Sequence, residues 1–329
     1  MKKTRLIKSK AQQGLDGLTF ELILQGDLKN LEKQPLINEC GNRYGHVEVR
    51  NGNAIVVLVL PKFMRDDNIQ AFSILDSIML EVIKNDVEVK LTKLFGDELN
   101  SKIKAIECNV TQRVSGKSNQ SDVLRLLNKA TLSTKFDNVL YVGENKRCPY
   151  REEVHTVISK RSKYWTLKAY DKSEQMKIDK KKKKQDPDTV PEGLLRIEIV
   201  MIDRTIEKLF GSKMSLTDIL TKDSLISVLR EYKRIFFDEI IEGKVKPYLN
   251  ICRLQLLESL FETESPVETI AKEKELIVDK VVLRKAIKRW HRLRGVSDNS
   301  SRDAEFYAKK FCLPEDVILT LKDFKKSCG

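Results

Sequence analysis

One stretch, Tyr164-Trp165-Thr166-Leu167-Lys168-Ala169-Tyr170-Asp171-Lys172, limits the fold more than any other part of this chain. Apolar and polar residues alternate with a period of two, the repeat of a β-strand rather than a helix. Leu167 and Ala169 take one face, while Thr166, Lys168, Tyr170 and Lys172 take the other. Tyr170 thus has a lysine two residues to either side. A phenol normally ionises near pH 10, and nearby cations favour the phenolate. A phenolate is a nucleophile, and a phosphodiester is its natural electrophile on a basic surface. The plainer alternative is a half-buried strand tyrosine beside solvated lysines.

Two further stretches alternate in the same way. In Leu194-Leu195-Arg196-Ile197-Glu198-Ile199, Arg196 and Glu198 share a face opposite Leu195, Ile197 and Ile199. In Ile103-Lys104-Ala105-Ile106-Glu107-Cys108-Asn109-Val110, Glu107 and Asn109 share a face with Thr111. If the three strands pair in one sheet, Glu107, Glu198 and Tyr170 converge. Carboxylate oxygens suit Mg²⁺ or Mn²⁺, and a metal beside a phosphate is what phosphoryl transfer uses.

These segments resemble the replication initiators of filamentous phages and related plasmids, the gene II/gene X family. The resemblance rests on Leu58-Val59-Leu60-Pro61-Lys62 continuing to Asn68, on Thr166 to Glu174 around Tyr170, and on Leu194-Leu195-Arg196-Ile197-Glu198 continuing to Lys208-Leu209-Phe210-Gly211. Ala105-Ile106-Glu107 stands where the family often has Arg-Ile-Asp, and Asp66-Asp67 replaces a glycine-containing turn. The resemblance spans residues 58 to 211. It implies a metal-dependent, site-specific DNA-nicking transesterase that starts rolling-circle replication, with Tyr170 as the nucleophile. Lys172, with Lys168, would favour the phenolate or hold the flanking DNA phosphate, Glu107 and Glu198 would hold Mg²⁺ or Mn²⁺, and Arg196 would contact a DNA phosphate or pair with Glu198.

Charge supports a polyanionic partner. The chain has 329 residues, a net charge of +13 and a pI near 9.3. Between Lys146 and Lys184 there are 14 Lys/Arg against 5 Asp/Glu, so +9 of the excess lies around the tyrosine strand. The run Lys180, Lys181, Lys182, Lys183, Lys184 is either a solvated loop or a sequence-independent grip on phosphates. No apolar run reaches 18 residues and no signal-peptide segment follows Met1, which predicts a cytoplasmic protein with no membrane contact. The six cysteines are widely spaced and lack a Cys-x-x-Cys pair, so they read as reduced thiols. Three histidines, none in a His-x-His pair, exclude the paired-histidine metal site of other rolling-circle nucleases. No phosphate-binding G-x-x-x-x-G-K-[ST] motif is present, so unwinding would fall to a host helicase, and synthesis to a host polymerase.

In chain order, residues 1 to 13 read as a frayed end and Leu18 to Leu24 as a first strand. Asn51-Gly52 between two alternating runs signals a hairpin. Residues 67 to 85 read as a helix burying Ala71, Ile74, Leu75, Ile78 and Val82. Ser121 to Ala130 is a second helix, and strands at Val139 to Val142 and Val154 to Ser159 lead to the tyrosine strand. His155 reads as a surface or core histidine in preference to a metal ligand, and Glu174 as either a solvated carboxylate or one aimed at the metal or at Tyr170. From Ser212 the pattern turns helical, with a capping box at Ser215 to Asp218 and a helix from Asp223 ending at Gly243. Helices follow at 247–262 and 266–294, then a pair at 301–311 and 314–326 that reads as bundle packing or a helix-turn-helix.

The expected fold is therefore α+β. A mainly antiparallel sheet with covering helices occupies residues 1–211, and a helical domain for DNA binding or assembly occupies 212–329. The expected partner is origin DNA, double- and single-stranded. The alternative function is a non-catalytic DNA-binding regulator on the same fold. An RNA-binding reading lacks the closely spaced aromatic platform that base stacking requires.

Overall fold

The computed structural model describes residues 12–23, 33–50, 53–65, 71–96, 100–114, 117–131, 137–143, 153–161, 163–211, 215–248, 280–293, 295 and 302. Among them is one antiparallel sheet of nine strands, in the order β2-β3-β4-β1-β5-β9-β8-β7-β6. The strands are β1 (Gln12–Ile23), β2 (Gln34–Ile37), β3 (Arg43–Arg50), β4 (Asn53–Val59), β5 (Asn100–Arg113), β6 (Asp137–Gly143), β7 (Glu153–Arg161), β8 (Trp165–Asp171) and β9 (Leu194–Ile202). The helices are α1 (Pro61–Met64), α2 (Leu80–Phe95), α3 (Lys117–Thr131), α4 (Lys172–Lys182), α5 (Asp203–Phe210), α6 (Leu216–Ile219), α7 (Lys222–Lys233) and α8 (Lys280–Leu293). The expected α+β class with a mainly antiparallel sheet is what the chain adopts.

The three alternating stretches lie side by side as β5, β9 and β8 at the middle of the sheet. In the ladder Lys168 faces Glu198 and Tyr170 faces Arg196, while Asn109 faces Glu198 and Thr111 faces Arg196. Directly opposed residues of an antiparallel pair point to the same side, so these side chains share one face. The other face carries Leu18, Ile106, Cys108, Ile197, Ile199, Leu167 and Ala169, all buried in one hydrophobic cluster. Residues of α3 and α7 belong to that same cluster. Gln13, which pairs with Val110 of β5, donates to the Leu229 carbonyl of α7 at 2.7 Å, so α7 lies over the apolar face.

Several expectations need correction. β1 starts at Gln12, so the expected fraying at residues 12 and 13 and the late start at Leu18 do not hold. Of the helix expected over 67 to 85, residues 67–70 lie outside the described residues, and the rest contains a two-turn 3₁₀ segment, Ile74–Met79, followed by α2. A capping box between Ser73 and Asp76 starts the turn there and resets the helical phase. The buried stripe of α2 is then Leu80, Ile83, Val87 and Leu91, while Ile78 (82% exposed) and Val82 (48%) face outward. Gly243 does not end its helix. Turns of π type run from Arg234 to Val245, and the helix continues to residue 248. Lys172 does not continue the tyrosine strand. Asp171 caps α4, its carboxylate accepting from the Glu174 backbone N–H at 3.0 Å, so the chain turns into a helix at Lys172.

The capping box at Ser215 and Asp218 forms as expected. β3 and β4 pair across residues 51 and 52, giving the expected hairpin, although the turn residues themselves lie outside the described residues. The helices expected at 247–262, 301–311 and 314–326 also lie outside them, apart from residues 247, 248 and 302.

Candidate active site

The site is built on a bulge. β1 pairs with β5 in register up to Leu15 against Cys108 and resumes with Gly17 against Glu107, which leaves Asp16 as an extra residue. Its backbone carbonyl accepts from Leu60 N–H at 2.9 Å, while Leu15 exchanges two backbone hydrogen bonds with Phe72, at 2.8 and 2.9 Å. These bonds pin the bulge and aim the Asp16 side chain into the same space as those of β5 and β9. The glycines on either side make room. A Cβ at Gly14 would sit 2.4 Å from the Phe72 carbonyl oxygen, and one at Gly17 would meet the Glu107 Oε2 at 3.4 Å.

Asp16, Glu107 and Glu198 each offer a carboxylate oxygen, and these oxygens lie within 4.8 Å of one another. An octahedral oxygen shell at about 2.1 Å sets its ligands about 3.0 Å apart (cis) and about 4.2 Å apart (trans), so small side-chain movements would close these three around one ion. The donor set is all oxygen, which suits Mg²⁺ or Mn²⁺ over softer metals. Two observations agree with a bound cation. Asp16 Oδ1 is buried without a hydrogen-bond partner, and so are both polar atoms of Asn109, which faces Glu198 in the ladder. A buried polar atom left unpaired costs about 1–3 kcal/mol, which a cation or its bound water would recover.

Arg196 is fully buried, and its reach is inward. Its Nε donates to Thr111 Oγ1 at 2.8 Å, and Nη1 pairs with Asp16 Oδ2 at 3.3 Å. β9 is central and covered on both faces, so the side expected to be polar and open is the floor of a cavity. Glu198, only 5% exposed, has its carboxyl pushed up to about 7. Burial is the main cause; Lys168 and Arg196 pull it down, and the neighbouring Glu107 and Asp16 push it further up. Lys168 Nζ lies 3.6 Å from Glu107 Oε1.

These residues open onto a cavity of about 530 Å³, lined among others by Asp16, Lys62, Glu107, Lys168, Tyr170, Lys172 and Glu198. Tyr170 is largely enclosed there. Its phenol is pushed well above the ordinary range by burial and then by the charge of Glu198, while the hydrogen-bonded Arg196 pulls the other way. The two lysines therefore do not hold it as a phenolate, contrary to the simple expectation. Lys168 is engaged with Glu107, and Lys172 Nζ donates to Gln175 Oε1 at 2.9 Å while standing 5.9 Å from the Tyr170 ring centre. Lys172 is itself buried, which pushes its ammonium down to about 8, with Arg196 adding to the effect.

The structure brings together Tyr170, Lys172, Glu107, Glu198, Lys168 and Arg196, all anticipated from the sequence, and adds Asp16 and Lys62. Glu174 lines the same cavity. Lys180, Lys181 and Lys182 form the last turn of α4, and Lys183 and Lys184 follow it. Lys180 bonds Thr189, while the other four are exposed. Tyr164 precedes β8 and is not among the cavity's lining residues. Its hydroxyl accepts from Arg204 at 3.2 Å, and Arg161 lies over its ring. Tyr150 and the side chains of Tyr141 and His155 lie outside the described residues.

No protein-family model matches the chain, and no curated protein does. Among solved structures it is similar to a rolling circle replication initiator protein from Geobacillus stearothermophilus, with a TM-score of 0.32 and 12% identity, over 65% of this chain and 80% of that one. A likeness this loose carries neither fold nor chemistry across. No helix among the described residues is long and apolar enough to cross a membrane.

Proposed function

We propose that this chain is a metal-dependent DNA-nicking transesterase that initiates rolling-circle replication. The observation that carries the reading is one cavity shared by Tyr170, the carboxylate cluster of Asp16, Glu107 and Glu198, and three lysines. That set suits a phosphodiester: a nucleophile, a seat for a divalent cation, and positive charge for the flanking phosphates.

In this reading Asp16, Glu107 and Glu198 would hold Mg²⁺ or Mn²⁺, which when bound would stabilise negative charge on the phosphate oxygens. Arg196 is a positioning residue that fixes Asp16 and hydrogen-bonds the phenol. The Tyr170 hydroxyl loses its proton to solvent at the moment of attack, and the Arg196 guanidinium, which favours the phenolate, offsets part of its cost in a buried site. The Tyr170 oxygen then bonds to phosphorus, and the bond from phosphorus to the 3′-oxygen breaks. The released 3′-oxygen takes a proton and becomes a primer end, while the 5′-phosphate stays on the tyrosine. Attack by a later 3′-hydroxyl reverses these bonds and closes the strand without ATP.

Lys62 and Lys168 at the cavity mouth would hold adjacent phosphates. Along α4, Ile178 lines the cavity and the lysine run begins two residues later, so the strand would leave past Lys180 to Lys184. Residues 212–329 would contribute origin binding. The test is conversion of supercoiled plasmid carrying the DNA that flanks the gene to the open circle, with Mg²⁺ and with EDTA. Metal-dependent nicking is expected. Tight binding with no nicking under either condition would favour a non-catalytic regulator instead.

A further inference from the structure

We infer that α8 is a duplex-DNA docking surface, separate from the cavity, that grips phosphates without reading sequence. The inference rests on the proposed nicking function only for the choice of DNA over other polyanions. α8 carries six Lys/Arg and no Asp/Glu, so it supplies +6 of the chain's +13. Arg284, Lys285, Lys288, Arg289 and Arg292 are all exposed. Ala286, Ile287 and His291 are buried, which docks the helix on the body of the protein and fixes which side looks outward.

Helical spacing places the exposed cations in two adjacent rows. Arg284, Lys288 and Arg292 repeat every four residues, and Lys285 and Arg289 run beside them. Four residues rise about 6 Å, so the first row extends about 12 Å along a rigid rod. A line of cations of this length follows a phosphate backbone without the ordering cost of a flexible tail. The exposed positions of known burial hold only Arg and Lys, side chains that supply phosphate contacts. A membrane surface fits less well. A helix lying in an interface needs an outward apolar face, and among the positions of known burial the apolar ones, Ala286 and Ile287, are turned against the core.

The test uses the full chain with Arg284, Lys288 and Arg292 all changed to Gln. Gln keeps helix propensity close to that of Lys and Arg, and circular dichroism with thermal melting checks the fold. Affinity for a duplex of about 30 base pairs is measured across a salt series. Each lost phosphate contact lowers the slope of log affinity against log salt by about 0.9, so the triple variant should be shallower by about 2.7 and weaker on the order of 10²-fold near 0.1 M salt. Should the triple variant not fold, the Arg284→Gln, Lys288→Gln pair should be shallower by about 1.8. An unchanged slope overturns the inference. So does wild-type protein that binds phosphatidylserine vesicles but not the duplex, or that binds no duplex at all. The two readings fail separately. A flattened slope in a protein that never nicks DNA leaves the docking surface standing and removes the enzyme, and nicking with an unaltered slope does the reverse.

Discussion

Lys172 is a buried ammonium, and replacing it should strengthen the fold while weakening the function. Its side chain sits at the first turn of α4, 3% exposed as a residue, with its proton affinity pushed down from 10.5 to about 8. A lysine depressed in this way is penalised in the folded state as long as it is charged. The penalty is therefore present in full below pH 8 and is relieved as pH rises from 8 towards 10.5. At 1.36 kcal/mol per pH unit it amounts to about 3 kcal/mol near pH 7 and about 1 kcal/mol near pH 10. Lys172→Met keeps an unbranched stem and removes the charge. It also loses the bond to Gln175, worth about 1 kcal/mol. Urea unfolding of both proteins should find the variant more stable at pH 7 by about 2–3 kcal/mol, with that advantage shrinking by about 2 kcal/mol at pH 10. Nicking should fall in the same variant, the trade expected where function needs a strained charge. A variant less stable at pH 7, or a gap that does not change with pH, would refute the reasoning.

Two further predictions concern the metal and the lysine run. Glu198→Gln should lose most metal binding, so Mn²⁺ at a hundred times its dissociation constant should stabilise the wild type by about 2.7 kcal/mol and leave the variant almost unmoved; equal stabilisation of both would remove Glu198 from the metal site. Replacing Lys181, Lys182, Lys183 and Lys184 with Ser should lower affinity for all single-stranded sequences alike and flatten the salt dependence; an unchanged slope would mean that the run is only a solvated helix end.

The sequence carries the site unevenly. β5, β8 and β9 are legible because strict alternation survives in all three, and alternation fixes which residues share a face. Glu107, Glu198, Lys168 and Tyr170 follow from that alone. Asp16 is not legible in this way because it occupies a bulge, where the period of two breaks. Its only signal is the pair of glycines, Gly14 and Gly17, at the start of the alternating stretch that runs to Leu22. A glycine within a strand marks a bulge or a close approach, and here both apply. Lys172 is misplaced by simple alternation because Asp171, an N-cap residue, ends the strand one position earlier. The outward turn of Ile78 and Val82 has the same kind of origin, since a 3₁₀ turn before α2 shifts the helical phase. The high proton affinity of the Tyr170 phenol could not be read from neighbouring lysines. It depends on burial beside Glu198, and burial is a property of the assembled sheet.

In the proposed reaction Tyr170 becomes covalently joined to DNA. The direct measurement incubates the protein with end-labelled single-stranded DNA from the region flanking the gene and Mg²⁺, then maps the peptide that carries the label. Tyr170→Phe removes only the attacking oxygen and leaves β8 paired through Thr156 of β7 and Arg196 of β9. A label is expected on the peptide containing Tyr170, absent with EDTA and absent in Tyr170→Phe, while that variant still binds the DNA. An adduct that persists in Tyr170→Phe, or that maps to Tyr164, would contradict it.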